Sequence, residues 1–208
     1  VSTRLRALGV VLATVLLTGG CAAGTHPGAA AMIGDTEISI GDVDKTSRAV
    51  GAALGESYPD QAALNGMVSN ELAAQVGQQK AISVSDAEIA DAAKNAVAPS
   101  AEAYQKLQAD PASRAFLDKL AATLIVTIKL AGGKGIHDAD GQQKAQEGVQ
   151  ALNAAAKDIK VTVAPRFGQW SDGRLDTAIS GSLSKESDQT AAKRKAAEEA
   201  QQQQQGQG

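Results

Sequence analysis

Residues 30–50, AAMIGDTEISIGDVDKTSRAV, change their period part-way along, and that change decides the fold. Met32-Ile33, then Gly34-Asp35, then Thr36 to Ile40 with Ile38 and Ile40 alternating, read as a short β-hairpin. Gly-Asp supplies the positive-φ turn positions. A hairpin this small is not stable alone and must pack on something. After Ile40 the apolar spacing becomes helical. Ser39 or Asp42 caps a helix to about residue 56, with Val43, Val50 and Leu54 on one face.

Further helices follow in the same way. A second runs from near Asp60 to about Lys80, where Leu64, Val68, Leu72 and Val76 recur every four residues beside Met67. Ser85-Asp86-Ala87-Glu88 is a capping box for a short third helix ending near Ala96. Pro99 interrupts the chain, and a short helical turn covers 100–108. Asp110-Pro111 opens the fourth long helix with proline at its first position. Phe116, Leu120, Leu124 and Ile128 mark its inner face. Its second half, LAATLIVTIKLA, is apolar nearly all round, so it packs on several sides or meets a partner. Its length and Lys129 exclude a membrane span. A fifth helix spans about 139–157 with Ala145, Val149, Leu152 and Ala156 inward. Ile159, Val161 and Val163 then alternate as a strand that ends at Pro165. The expected class is mainly α: five to six helices in an orthogonal domain closed by a small hairpin and a C-terminal strand.

The two ends read differently. VSTRLRALGVVLATVLLTGGC (1–21) has Arg4 and Arg6, an apolar stretch Leu8–Leu17 too short to span a bilayer, and small residues before the only cysteine. This resembles the lipobox of bacterial lipoproteins, departing from it at Thr18, where the pattern has leucine. The resemblance implies a signal peptide over 1–20 and covalent diacylglycerol and fatty acid on Cys21. It also implies a lipid-anchored place on the extracytoplasmic face of the cell membrane. Residues 21–30, small and polar, then form a tether. From Ser171 to QQQQQGQG the chain is polar and of mixed charge, which predicts a disordered tail.

Composition narrows the function. Hydrophobic residues reach 43% but aromatics only 2%, so the core is aliphatic and favours helices. A net charge of -3 gives no reason to expect nucleic acid. His26, His137 and Cys21 are too few and too scattered for a zinc site, and one cysteine forms no internal disulfide. Gly132-Gly133-Lys134-Gly135 lacks the strand and spacing of a phosphate loop. A calcium-loop register over 136–147 puts Ile136 in the first carboxylate position, so Asp138 or Asp140 is read as a helix cap instead. No cofactor, metal or catalytic residue is expected.

From Ala31 to about Trp170 the order of elements resembles the SurA/PrsA group of extracytoplasmic chaperones, specifically its N-terminal chaperone domain. The matching pieces are AAMIGDTEISIGDVD, then NGMVSNELAAQVGQQKAISVSDAEI with its Ser85–Glu88 cap, then VTVAPRFGQW, where Ala164 replaces the family's asparagine. Many relatives insert a parvulin-type prolyl isomerase between the fourth and fifth helices. Here only residues 132–160 separate Ala131 from Val161, whereas such a module needs on the order of 100 residues.

The resemblance implies a helical, non-enzymatic domain over 31–170 that holds unfolded or nascent exported polypeptides. It also implies that Ile159–Val163 pairs with the hairpin and that Phe167 and Trp170 cover the junction. Leu64, Val68, Leu72, Phe116, Leu120, Leu124, Ile128, Phe167 and Trp170 are the candidates for client contact or core. The other reading is a structural or adaptor lipoprotein that binds one partner in a cell-envelope complex.

Overall fold

The computed structural model describes residues 26–98 and 100–178. Strands β1 (Ala29–Ile33) and β2 (Thr36–Ser39) pair antiparallel, with Ile33 opposite Thr36 and Met32 opposite Glu37. Gly34 carries φ 56°, a left-handed conformation that glycine adopts without steric cost. Asp35 does not share it, so one of the two expected turn positions has positive φ, not both. Strand β3 (Val161–Val163) adds antiparallel to the other edge of β1, giving the order β2-β1-β3. β1 is thus central and enclosed: Ala29, Ala30, Ala31 and Ile33 are all buried. The strand claims Ala29 and Ala30 from the segment expected to be tether: Ala29 lies opposite Ser39, and the Ala30 carbonyl accepts from the Ala164 amide at 2.8 Å.

Six helices are described, of which the first two pack on this sheet: α1 (Ile40–Leu54), α2 (Asp60–Gln79), α3 (Asp86–Ala96), α4 (Ala101–Ala109), α5 (Pro111–Leu130) and α6 (Gly141–Ala155). The fold is mainly α, with the small sheet closing it. Ser39 caps α1, its hydroxyl accepting from the Asp42 amide at 3.0 Å. Val43 and Val50 face inward as expected. Leu54 does not; it ends the helix where the chain reverses at Gly55, and stays exposed. On α2 all four of Leu64, Val68, Leu72 and Val76 are buried. Asp110 caps α5 through the amides of Ala112 and Ser113, with Pro111 at the first helical position.

Helix α5 packs against α1, α2, α3, α4 and α6, which accounts for its apolar second half. Ile125, Val126, Thr127 and Ile128 are buried in succession. Its inward stripe is not the expected one. Leu117, Ala121, Ile125 and Ile128 point into the core, whereas Leu120 is 41% exposed and Phe116 and Leu124 are half-buried. A row of i+4 steps drifts about 40° each time around a helix of 3.6 residues per turn, so the row from Phe116 reaches the core only at Ile128. Helix α6 also departs from its expected stripe. Leu152 is buried, but Val149 is exposed, and the contact with α5 is made by Gly148.

The described fold also extends past the expected boundary at Trp170. β4 (Gln169–Ser171) and β5 (Arg174–Asp176) form a hairpin, with Trp170 opposite Leu175. Its turn is Asp172-Gly173, at φ 50° and 76°. Positive φ at both positions is the arrangement that Asp-Gly favours between strands of native twist. The Leu175 amide donates to Asn65 Oδ1 at 2.9 Å, which ties the hairpin to α2. Phe167 is buried in the sheet–α2 core with Leu64, Val68 and Leu72, and Trp170 is half-buried against it. Cys21 and the sequence from 179 onward, including most of the expected tail, lie outside the described residues.

The Ser85–Glu88 capping box is complete and is joined to α5. Glu88 Oε2 accepts from the Ser85 amide and hydroxyl, both at 2.8 Å, while Oε1 pairs with Lys129 Nζ at 2.6 Å. The Lys129 hydrogen bond first, then those from Ser85, lower the Glu88 pKa from 4.5 to about 2. A depressed folded-state pKa contributes stability above the ordinary value and loses it as pH falls through the folded one. In urea titrations the midpoint of Glu88→Gln is therefore expected to lie below that of the parent at pH 6. The gap should shrink as pH falls from 4.5 toward 2; a gap independent of pH would refute the ionic contribution.

Candidate functional site

A groove of about 340 Å³ opens between β2, α1, α2 and α5. Ile38, Met67 and Phe116 supply its apolar surface. Ile38 reaches it because strand alternation turns that side chain toward α2. Phe116 is fixed on both sides. Its ring lies over Gly66, where an added Cβ would stand 2.7 Å from Cζ, and meets the Tyr58 ring edge-on at 6.1 Å. Burial raises the Tyr58 phenol above 10.0, so this support stays neutral at physiological pH.

The polar rim is uneven. Glu71 Oε1 accepts from Thr36 Oγ1 at 2.9 Å and from Gln75 Nε2 at 2.8 Å, and Asp42 accepts from Ser39 Oγ at 2.7 Å. Glu71 and Asp42 are thus occupied within the fold, while Glu37, also on the rim, meets only His26 Nδ1 at 3.5 Å. Lys45 and Lys119 also border the groove and have no ion-pair partner among the described residues.

Asn70 borders it too and is only 4% exposed. Its Oδ1 accepts from Thr123 Oγ1 at 2.8 Å, while Nδ2 is buried with no hydrogen-bond partner. A buried polar atom left unpaired costs stability, so such an atom beside a groove is a feature to account for.

Of the residues expected to touch a client, Phe116 alone lines this groove. Leu64, Val68, Leu72, Ile128 and Phe167 are core. Leu72 and Trp170 border a separate cavity of about 400 Å³ beneath the β4–β5 hairpin. Leu120 is on the surface, and Leu124 is half-buried outside the groove.

Sequence reasoning missed Ile38, Asn70, Thr123 and the two lysines. The available signal was Asn70 itself, a polar residue set among Met67, Val68, Leu72 and Ala73 on a helix that is otherwise apolar inward.

No family model, curated protein or solved structure matches the chain. Among the described residues no helix is long and apolar enough to cross a membrane, and no three His, Cys, Asp or Glu side chains gather as metal ligands. In the 134–147 stretch, Asp138 accepts from the Lys134 and Gly135 amides at 2.5 and 3.3 Å, which lower its pKa. It therefore closes the glycine-rich turn instead of capping α6. Asp140 holds the α6 cap position without a side-chain bond.

Proposed function

We propose that this chain is a lipid-anchored extracytoplasmic protein whose helical domain holds unfolded exported polypeptides and carries out no catalysis. The observation that carries this reading is the groove between β2 and α5. It offers fixed apolar side chains at a surface where Glu71 and Asp42 are already engaged within the fold, which suits weak, exchangeable contact with apolar stretches of chain. The resemblance of the hairpin, the capped helix and the closing VTVAPRFGQW segment to extracytoplasmic chaperones supports it further. The lipobox-like residues before Cys21 support the location, since two or more acyl chains anchor firmly where one does not.

Two measurements test the proposal. The domain over 26–178 is expected to suppress light scattering from chemically unfolded lysozyme at near-stoichiometric ratios. No suppression, together with one tight partner in a crosslinked pull-down, would point to the adaptor reading. Expressed in bacterial cells, the full chain is expected in the membrane fraction and Cys21→Ala in the soluble one; a variant that stays with washed membranes would exclude the anchor.

A further inference from the structure

Two unsatisfied features meet at the groove, and both call for a peptide backbone. The first is the free edge of the sheet. The Ala164 amide donates to Ala30 O at 2.8 Å and the Gly34 amide to Lys160 O at 2.9 Å, so the even-numbered positions of β1 face β3. The odd-numbered ones, Ala31 and Ile33, face β2 opposite Ile38 and Thr36. By the alternation of an antiparallel ladder, Thr36 and Ile38 spend their backbone groups on β1, and the N–H and C=O of Glu37 point away from it. β2 is an edge strand, and Thr36, Glu37 and Ile38 all border the groove.

The second feature is the Asn70 carboxamide. The Thr123 hydroxyl serves one of its atoms and leaves the other unmatched in the interior. A hydroxyl can donate or accept, so turning the amide over only exchanges which atom is stranded. A carboxylate or phosphate offers acceptors alone. A peptide group offers a donor and an acceptor, and matches the amide either way round. Beside Asn70 a smaller recess between α2 and α5, lined by Ala73, Ala122 and Val126, is suited to a small apolar side chain.

We infer that the groove takes an extended polypeptide segment, which adds to the sheet as a strand on the β2 edge and presents a peptide group to Asn70. This rests on the chaperone reading and specifies how the client is held. Main-chain pairing reads no sequence, while Met67, Phe116 and the recess favour apolar side chains at alternate positions of the segment. The inference also accounts for a cost kept in the fold: the unmatched amide destabilises the free domain, and a turn of the Asn70 side chain toward the groove on binding would bring it to the segment's peptide group.

The probe is a short fluorescein-labelled peptide of alternating valine and threonine, followed by fluorescence anisotropy, with a fully N-methylated version as its counterpart. The full chain is expected to bind the first about tenfold more tightly than the second, the worth of one or two main-chain hydrogen bonds. Glu37→Pro removes an amide that the β1 ladder does not use, and is expected to weaken binding of the unmodified peptide to the same degree. Asn70→Leu/Thr123→Val replaces both members of the polar pair by apolar groups of similar size. It is expected to unfold at the same temperature or higher, and to bind about tenfold more weakly.

Equal affinity for the two peptides would overturn the inference and leave the chaperone reading standing. A double variant that unfolds at a lower temperature would show Asn70 to be a structural residue, which also overturns it. If the parent binds neither peptide and also fails to suppress aggregation, the chaperone reading falls with it.

Discussion

Gly148→Ala is expected to destabilise the domain by roughly 3 kcal/mol, although the same change in most helices stabilises. Alanine is about 1 kcal/mol better than glycine in a helix interior, so propensity alone predicts a gain. Packing predicts the reverse, and by more. A Cβ built at Gly148 stands 1.8 Å from the Thr127 carbonyl oxygen and 2.4 Å from its carbon. The obstacle is helix backbone, which has no alternative rotamer. Either α6 withdraws along its contact with α5, or the α5 backbone bends at a buried residue.

Withdrawal would uncover Val76, Val126 and Leu152, a cluster of buried side chains where α2, α5 and α6 meet. Gly135→Ala is the control. An added Cβ there meets nothing within 4 Å, and the expected change is within about 0.5 kcal/mol. Urea unfolding of the two variants beside the parent decides the matter; a stabilised Gly148→Ala would mean that the helices part without cost.

The glycine also shows where reading the sequence reached its limit. Periodicity locates the four longer helices, α1, α2, α5 and α6, because each shows a stripe of apolar side chains; α3 is legible from its cap, and α4 only as a short turn after Pro99. The Ser85–Glu88 box and the Asp110-Pro111 start were legible for a related reason: capping is local, and its residues lie within three positions of one another. Contact through glycine leaves no apolar mark, so periodicity points to Val149 as the inward residue of α6 in place of Gly148.

The α5 stripe failed for a geometric reason. A strict i+4 row fits a broad contact such as that of α2, where Leu64 to Val76 are all buried, but it slides off a narrower one. Asp172-Gly173 is a turn signal in itself, but the polar stretch around it masks the two short strands that it joins. The groove was legible only in part. Phe116 and Met67 carry an apolar signal. The unmatched amide of Asn70 and the free edge at Glu37 depend on what other elements leave uncovered, and local sequence does not record that.

Ending the chain after Lys160 is expected to abolish cooperative unfolding altogether. The cut removes β3, so β1 loses one of its two ladders, and the pairs Ala31–Val163, Met32–Thr162 and Ile33–Val161 vanish. It also removes Phe167, a buried aromatic in the same core as Ile33, Val43, Leu64 and Val68. Truncating one such phenylalanine to alanine costs about 3–5 kcal/mol, while a whole domain is stable by only about 5–15 kcal/mol. Adding the ladder and the uncovered strand to that loss leaves too little to hold a cooperative fold.

A chain ending after Trp170 is the informative intermediate. It keeps β3 and Phe167 but loses the partner of β4 and the bond from Leu175 to Asn65, and should melt cooperatively at a lower temperature than one ending after Ala178. Circular dichroism melts of the three lengths test this order; matching midpoints for all three would mean that the closing strand is an accessory. The order matters for function because β1 sets the position of β2. Without β3 the hairpin is left as two strands, too few to persist in water, and the edge proposed to receive a polypeptide has nothing to hold it in place.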